Sequence, residues 1–136
     1  MIHLDTNVAI ALLNNRQPRI RARFDAARAT IALGMSVMVY HELMYGAANS
    51  ARMQENQAKV TVFIAAGSFI LLALAEEDAR EAADIRVHLK RRGEPIGPYD
   101  VLIAAQARRT GSTLVTANTD EFQRVPGLIT ADWSGN

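Results

Sequence analysis

Short apolar runs rich in β-branched residues alternate along this chain with longer segments of helical period. Such alternation is typical of βα units built around a mostly parallel sheet. The predicted strands are residues 1–4, 30–33, 69–74, 113–115 and 128–130. The predicted helices are residues 7–14, 19–28, 38–49, 54–66, 77–92 and 99–110. The pattern therefore predicts an α/β fold in a single domain spanning residues 1–136.

The apolar content of 49% over 136 residues is enough for one buried core. Its longest apolar stretch, residues 60–74, is interrupted by Gly67 and Ser68 and is too short to cross a bilayer. The first residues lack the basic and apolar regions of a signal peptide. Cysteine is absent, which excludes disulfides and thiolate metal sites and fits a reducing compartment. We therefore expect a soluble, cytoplasmic protein without membrane contact.

Basic and acidic residues nearly balance, with 15 Lys and Arg against 14 Asp and Glu, so net charge does not predict nucleic-acid binding. Thirteen of the basic residues are Arg, whose planar group suits bidentate contacts with phosphate. The codon bias of a GC-rich genome explains the same excess equally well. The charge pattern therefore leaves the ligand class open.

Acidic side chains occur where parallel sheets bind their ligands, beyond the carboxyl ends of strands. Asp5 follows the first predicted strand, Glu42 and Asp100 lie early in helices, and Asn118, Asp120 and Glu121 follow the fourth strand. Asp5 alone is also explained as a helix cap, and Asp100 by the helix dipole. Glu42 lies among apolar neighbours, where a carboxylate is costly unless it is paired or bound to a cation.

Several carboxylates brought together without Lys or Arg repel one another, and a hard divalent cation with oxygen ligands relieves that repulsion. The sequence therefore predicts a Mg²⁺ or Mn²⁺ site. Zinc is not expected, because His41 is the one histidine near these acids and is predicted to be a surface or packing residue. Such a cation activates water, which makes phosphodiester hydrolysis the predicted reaction. No glycine-rich phosphate loop or Ser-His-Asp motif suggests another chemistry.

Four segments together resemble the motifs of PIN-domain ribonucleases of the VapC toxin family. They are LDTN at 4–7, HELMYGA at 41–47, IGPYDVLIAA at 96–105 and LVTANTDEF at 114–122. The resemblance implies a three-layer α/β/α sandwich and a Mg²⁺- or Mn²⁺-dependent endoribonuclease. It also implies a homodimeric toxin that a VapB-type antitoxin holds inactive.

The resemblance also implies a role for individual residues. Asp5, Glu42 and Asp100 match the metal-binding catalytic acids. Thr6, Asn7, Thr116 and Asp120 match polar positions that hold water or orient a carboxylate, and Asn118 and Glu121 match the remaining catalytic positions. Which of Asn118, Asp120 and Glu121 completes the site, and whether one or two metals bind, stay open. The family often has Ser or Thr at the position of Val39 to cap the following helix, and Ser36 is the available substitute.

The substrates implied by the resemblance are structured RNAs, mostly tRNA. The loop at residues 93–100 resembles the branch that cuts initiator tRNA in the anticodon stem-loop. Two alternatives are a PIN-fold binding module without activity and a housekeeping nuclease without an antitoxin. If the three acids serve a metal, removing any one of them is expected to leave thermal stability unchanged or raised, because repulsion is relieved.

Overall fold

The computed structural model describes residues 1–135, and Asn136, the last residue of the predicted domain, lies outside the described residues. The strands are β1 (Ile2–Leu4), β2 (Leu33–Ser36), β3 (Ile70–Leu72), β4 (Thr113–Val115) and β5 (Ile129–Ala131). The helices are α1 (Thr6–Leu13), α2 (Pro18–Arg28), α3 (Val37–Ala48), α4 (Met53–Gly67), α5 (Glu76–Arg91), α6 (Pro98–Arg109) and α7 (Thr119–Phe122). Each strand except the last is followed by at least one helix, which is the βα alternation predicted from the sequence.

The five strands form one parallel sheet in the order β3-β2-β1-β4-β5. The central strand β1 pairs with β2 on one side, where His3 lies opposite Gly34, and with β4 on the other, where Leu4 lies opposite Val115. Helices flank the sheet, as expected for parallel strands whose two faces are both covered. The predicted three-layer α/β/α architecture is confirmed.

Helix ends follow signals that are visible in the sequence. Asp5 caps α1 by accepting a hydrogen bond from the Thr6 backbone, and Ser36 caps α3 by accepting one from Met38. Ser36 therefore supplies the cap that Val39 cannot. At the other end of α6, Gly111 has φ +65°, the left-handed conformation that commonly follows a helix.

The second strand was predicted wrongly at residues 30–33 and lies at Leu33–Ser36. Thr30 and Ile31 instead close the last turn of α2, since both backbone amides donate to the carbonyl of Ala27. Gly34 occupies the strand because a Cβ atom there would lie 2.8 Å from the Leu72 side chain and 2.9 Å from the His3 ring. Close strand packing thus overrides the weak strand propensity of glycine.

Smaller differences concern the remaining elements. The third strand covers Ile70–Leu72 and is shorter than predicted at both ends. Phe69 precedes it and packs against Phe24 and Phe63. The short helix α7 was not predicted at all, since four residues are too few to show a helical period. No helix within residues 1–135 is both long and apolar enough to span a membrane.

Candidate active site

The site lies at the carboxyl ends of β1 and β4, the point in the sheet from which the strand order runs in opposite directions. From β1 the chain moves to β2 on one side of the sheet, whereas β4 pairs with β1 on the other. At the carboxyl ends of these two central strands, the Asp5 amide donates to the Val115 carbonyl at 2.9 Å, and the Thr116 hydroxyl donates to Asp5 Oδ2 at 2.9 Å. Such a reversal point opens the crevice in which parallel sheets bind ligands.

Asp5 is buried at this point and both of its carboxylate oxygens accept hydrogen bonds. The Thr6 amide donates to Oδ1 at 2.7 Å, which is the helix-cap contact, and the Thr116 hydroxyl donates to Oδ2. Burial raises the pKa of the Asp5 carboxyl above its ordinary value, against the lowering effect of these two hydrogen bonds, and the negative charge of Glu121 raises it further. Asp5 is therefore a cap that also carries a poorly solvated charge.

Glu42 approaches from α3, whose start is set by the Ser36 cap. It is half-buried, and its Oε1 accepts a hydrogen bond from the Thr6 hydroxyl at 3.0 Å. Thr6, which was predicted to orient a carboxylate, thus contacts Asp5 through its amide and Glu42 through its hydroxyl. Glu42 also lines a cavity of about 250 Å³, together with Lys59 and residues of α1, α3 and α4.

Asp100 enters from the first turn of α6 and is half-buried. Burial, followed by the negative charges of Asp5, Glu42 and Glu121, raises the pKa of the Asp100 carboxyl to about 6. The four carboxylates therefore lie within electrostatic reach of one another. Gly97 was not singled out from the sequence, yet a Cβ there would lie 3.3 Å from Asp100 Oδ2, so this glycine leaves room for the carboxylate.

Of the three candidates after β4, the structure brings Asn118 and Glu121 towards the acids. The Asn118 backbone amide donates to Thr116 Oγ1 at 2.9 Å, and the Asn118 side-chain amide donates to Glu121 Oε2 at 2.9 Å. Asp120 is exposed and lines a separate cavity beside Arg92 and Arg124. This geometry favours Glu121 over Asp120 as the fourth acid.

No contact in the structure supports the role predicted for Asn7. The side chain is exposed, and within residues 1–135 it makes no hydrogen bond. The predicted roles of Asn7 and Asp120 therefore stay predictions, and the structure does not bring either residue into contact with the acids.

No salt bridge within residues 1–135 compensates the negative charge at this site. In the part of the chain that the structure describes, the ion pairs join other carboxylates to arginine, and none includes Asp5, Glu42, Asp100 or Glu121. Within residues 1–135, no three His, Cys, Asp or Glu side chains lie close enough together to bind one metal ion in their present positions. Carboxylates repel one another when no cation lies between them, which opposes such clustering. The donor chemistry, oxygen atoms of acids without a cationic partner, fits a hard divalent cation.

Comparisons with known proteins give one consistent result. The family model described as PIN domain matches residues 2–128. The tRNA(fMet)-specific endonuclease VapC of Shigella flexneri is 37% identical over 131 residues, covering 96% of each chain.

Solved structures agree with the sequence comparisons. VapBC from Salmonella typhimurium, solved bound to DNA, contains a chain with a TM-score of 0.88 and 36% identity, with 97% of each chain covered. VapBC2 from Rickettsia felis, bound to a DNA fragment of its promoter, has a chain with a TM-score of 0.90 and 28% identity, covering 98% of this chain and 99% of that one. The similarity therefore extends over nearly the whole length.

Proposed function

Because the chain belongs to the PIN-domain family, within its VapC ribonucleases, we propose that it is a Mg²⁺- or Mn²⁺-dependent endoribonuclease and the toxin of a VapBC pair. The observation that carries the proposal is the hydrogen-bond geometry of the acids: Thr6 contacts both Asp5 and Glu42, and Thr116 joins Asp5 to Asn118, which holds Glu121. The raised pKa of Asp100, caused by its burial and by the charges of Asp5, Glu42 and Glu121, agrees with this arrangement. A site that gathers uncompensated acids at the crevice of a parallel sheet is suited to a divalent cation and a phosphodiester substrate.

Asp5, Glu42 and Asp100 are the residues that would hold the cation. When bound, it would act as a Lewis acid towards water and the scissile phosphate. The protein contributes the orientation of the acids, because Thr116 and Thr6 fix the two oxygens of Asp5 and Thr6 also holds Glu42. Hydrogen bonds of this kind restrict the carboxylates to productive directions.

Glu121 would complete the acidic set from the other side of Asp5. Its carboxylate is held by the Asn118 side chain, whose backbone is in turn anchored to Thr116. Asn118 is thus assigned a positioning role, with Glu121 as the group that faces substrate or water. This assignment supports one strong metal position, formed by Asp5, Glu42 and Asp100, and a weaker second position at most.

The proposed substrate is tRNA, cut in the anticodon stem-loop of the initiator species. The name of the Shigella flexneri relative, tRNA(fMet)-specific endonuclease, supports the initiator tRNA. The anticodon stem-loop rests on the family resemblance of the loop at residues 93–100. The proposed partners are a VapB antitoxin that blocks the site and a second copy of the chain. The VapBC complexes among the similar structures support the first of these.

The proposal is tested by cleavage of initiator tRNA and total RNA with purified protein. Cleavage is expected to require Mg²⁺ or Mn²⁺, to stop with EDTA, and to fall at least roughly 100-fold with Asp5→Asn, Glu42→Gln or Asp100→Asn. Asp84→Asn changes an exposed acid of α5 and is expected to leave activity unchanged. Cleavage that survives both Asp5→Asn and Asp100→Asn would refute the mechanism.

Expression in a bacterial host separates a toxin from the two alternatives. A toxin is expected to arrest growth, and co-expression of the small protein encoded upstream is expected to restore it. Cleavage without growth arrest would indicate a housekeeping nuclease. Neither cleavage nor arrest would indicate a binding module that has kept the fold.

A further inference from the structure

The exposed aromatic side chains of residues 1–135 meet at one place. Of the eight Phe, Trp and Tyr side chains, only Tyr45 (63% exposed) and Tyr99 (45% exposed) are exposed, and the other six are buried or half-buried. Both tyrosines contact the exposed ring of His41, with ring centroids 6.5 Å away for Tyr45 and 5.7 Å away for Tyr99. We call these three residues the aromatic cluster.

The cluster is built on the two helices that carry two of the acids. His41 and Tyr45 lie one turn apart on α3, which carries Glu42 next to His41. Tyr99 lies on α6, directly before Asp100. The cluster therefore flanks the acidic site, and its position relative to Glu42 and Asp100 is set by the backbone of the same helices.

Core packing does not explain these rings, because large parts of both tyrosines remain in water. His41 does not stack face to face on either tyrosine: it meets Tyr99 edge-on at 84°, and it is tilted by 34° from Tyr45. Exposed aromatic rings beside a nucleic-acid site suit stacking with bases, and stacking is possible with every base because each has an aromatic face. Sequence-specific proteins bind RNA mainly through such unstacked bases in loops and ends.

We propose that His41, Tyr45 and Tyr99 form a stacking platform for unpaired bases of the RNA substrate beside the scissile phosphate. This inference rests on the proposed ribonuclease function. Charge favours a base over the phosphate backbone as the group bound here, because the carboxylates of Glu42 and Asp100 repel phosphates but do not repel uncharged bases. The platform thereby supplies affinity that the acids themselves cannot supply.

The test measures binding rather than cleavage. A short single-stranded oligoribonucleotide and an abasic oligonucleotide of the same length are titrated with full-length protein in EDTA, and fluorescence anisotropy is recorded. We expect Tyr45→Ala and Tyr99→Ala each to weaken binding of the base-bearing strand by roughly 5- to 100-fold, and to leave binding of the abasic strand unchanged.

Controls separate stacking from folding and from other contacts. Tyr45→Phe and Tyr99→Phe keep the ring and are expected to keep the affinity. Val62→Ala removes an apolar side chain that is 65% exposed on α4 and is expected to have no effect. A base analogue whose fluorescence is quenched by stacking, placed in the strand, is expected to lose its quenching with Tyr45→Ala or Tyr99→Ala.

Three results would overturn the platform. The first is equal affinity of the unaltered protein for base-bearing and abasic strands. The second is an equal loss for both strands in the alanine variants. The third is unchanged RNA binding combined with loss of the antitoxin complex, which would assign the rings to a protein partner. Since these measurements contain EDTA, their outcome does not depend on whether the acids hydrolyse RNA.

Discussion

One threonine hydroxyl connects both ends of the acidic site. Thr116 is completely buried, donates to Asp5 Oδ2 at 2.9 Å and accepts from the Asn118 amide at 2.9 Å. Asn118 then donates to Glu121 at 2.9 Å. A continuous series of hydrogen bonds therefore runs from the first acid to the last, and the direction of each donor fixes the carboxylates as acceptors.

Thr116→Val tests this connection at nearly constant volume. The variant leaves Asp5 Oδ2 and the Asn118 amide without their partner, which is expected to cost about 1–3 kcal/mol of stability. Activity is expected to fall roughly 10- to 100-fold, since the acids lose their orientation. Urea denaturation and RNA cleavage check both effects. Thr116→Ser, which keeps the hydroxyl, is the control, and an equal loss with serine would contradict the argument.

Asp5 and Asp100 are expected to differ in their effect on stability, whereas the sequence alone predicts that every acid behaves alike. Asp100→Asn removes a charge that burial and three other carboxylates disfavour, so stability in EDTA at pH 8 is expected to rise by about 1 kcal/mol. Asp5→Ala removes the α1 cap and the acceptor of the Thr116 hydroxyl, so stability is expected to fall. Thermal melting checks both, and a fall with Asp100→Asn would contradict the repulsion.

Helices and strands differ in how closely their ends could be predicted. The six predicted helices start within a residue of prediction, and four of them have a local signal in the sequence: Asp5, Pro18, Ser36 and Pro98. The start of β2 could not be predicted, because Gly34 is selected by contacts with β1 and β3 that a linear pattern does not contain. Local sequence signals thus predict where helices begin, whereas the start of a strand depends on packing between elements.

The turn from α4 into β3 gives a prediction at the scale of elements. Ser68 ends α4 with φ +55°, in the left-handed conformation. This conformation is unfavourable for residues with a Cβ atom and is favoured by glycine. Because Ser68 is exposed, Ser68→Gly is expected to raise the free energy of unfolding by about 0.5–1 kcal/mol. Ser68→Ala keeps the strain and is the control. Urea denaturation measures both, and equal stability of the two variants would contradict the expectation.

Over the whole molecule, the order of the strands explains why acids distant in sequence could be predicted to converge. Parallel strands end at one edge, so Asp5 after β1 and Glu121 after β4 meet there whatever the details of packing. The outward direction of Asp120 and the cluster of Tyr45 and Tyr99 could not be predicted, because both depend on how each helix is rotated about its axis in the fold.

Acidification acts on this fold through two groups with opposite signs. His3 is buried in the central strand, and within residues 1–135 neither ring nitrogen has a hydrogen-bond partner. Burial, with the charge of the N-terminus, lowers the pKa of His3 to about 4, against the charge of Asp78. Between pH 6.5 and 4, His3 therefore binds a proton in the unfolded chain but not in the folded chain, and stability falls as pH falls.

Asp100 has the opposite sign, because its folded pKa of about 6 lies above its unfolded value. The folded chain binds this proton first, so between pH 6 and 4 stability rises as pH falls and partly cancels the loss from His3. In EDTA, Asp100→Asn is therefore expected to lose stability on acidification more steeply than the unaltered protein, because it lacks the proton that Asp100 binds. His3→Gln should give the reverse change in slope, and His88→Gln, at an exposed position of α5, no change. Urea denaturation at pH 7, 6 and 5 measures the slopes, and identical slopes for Asp100→Asn and the unaltered protein would show that the site acids do not couple to folding.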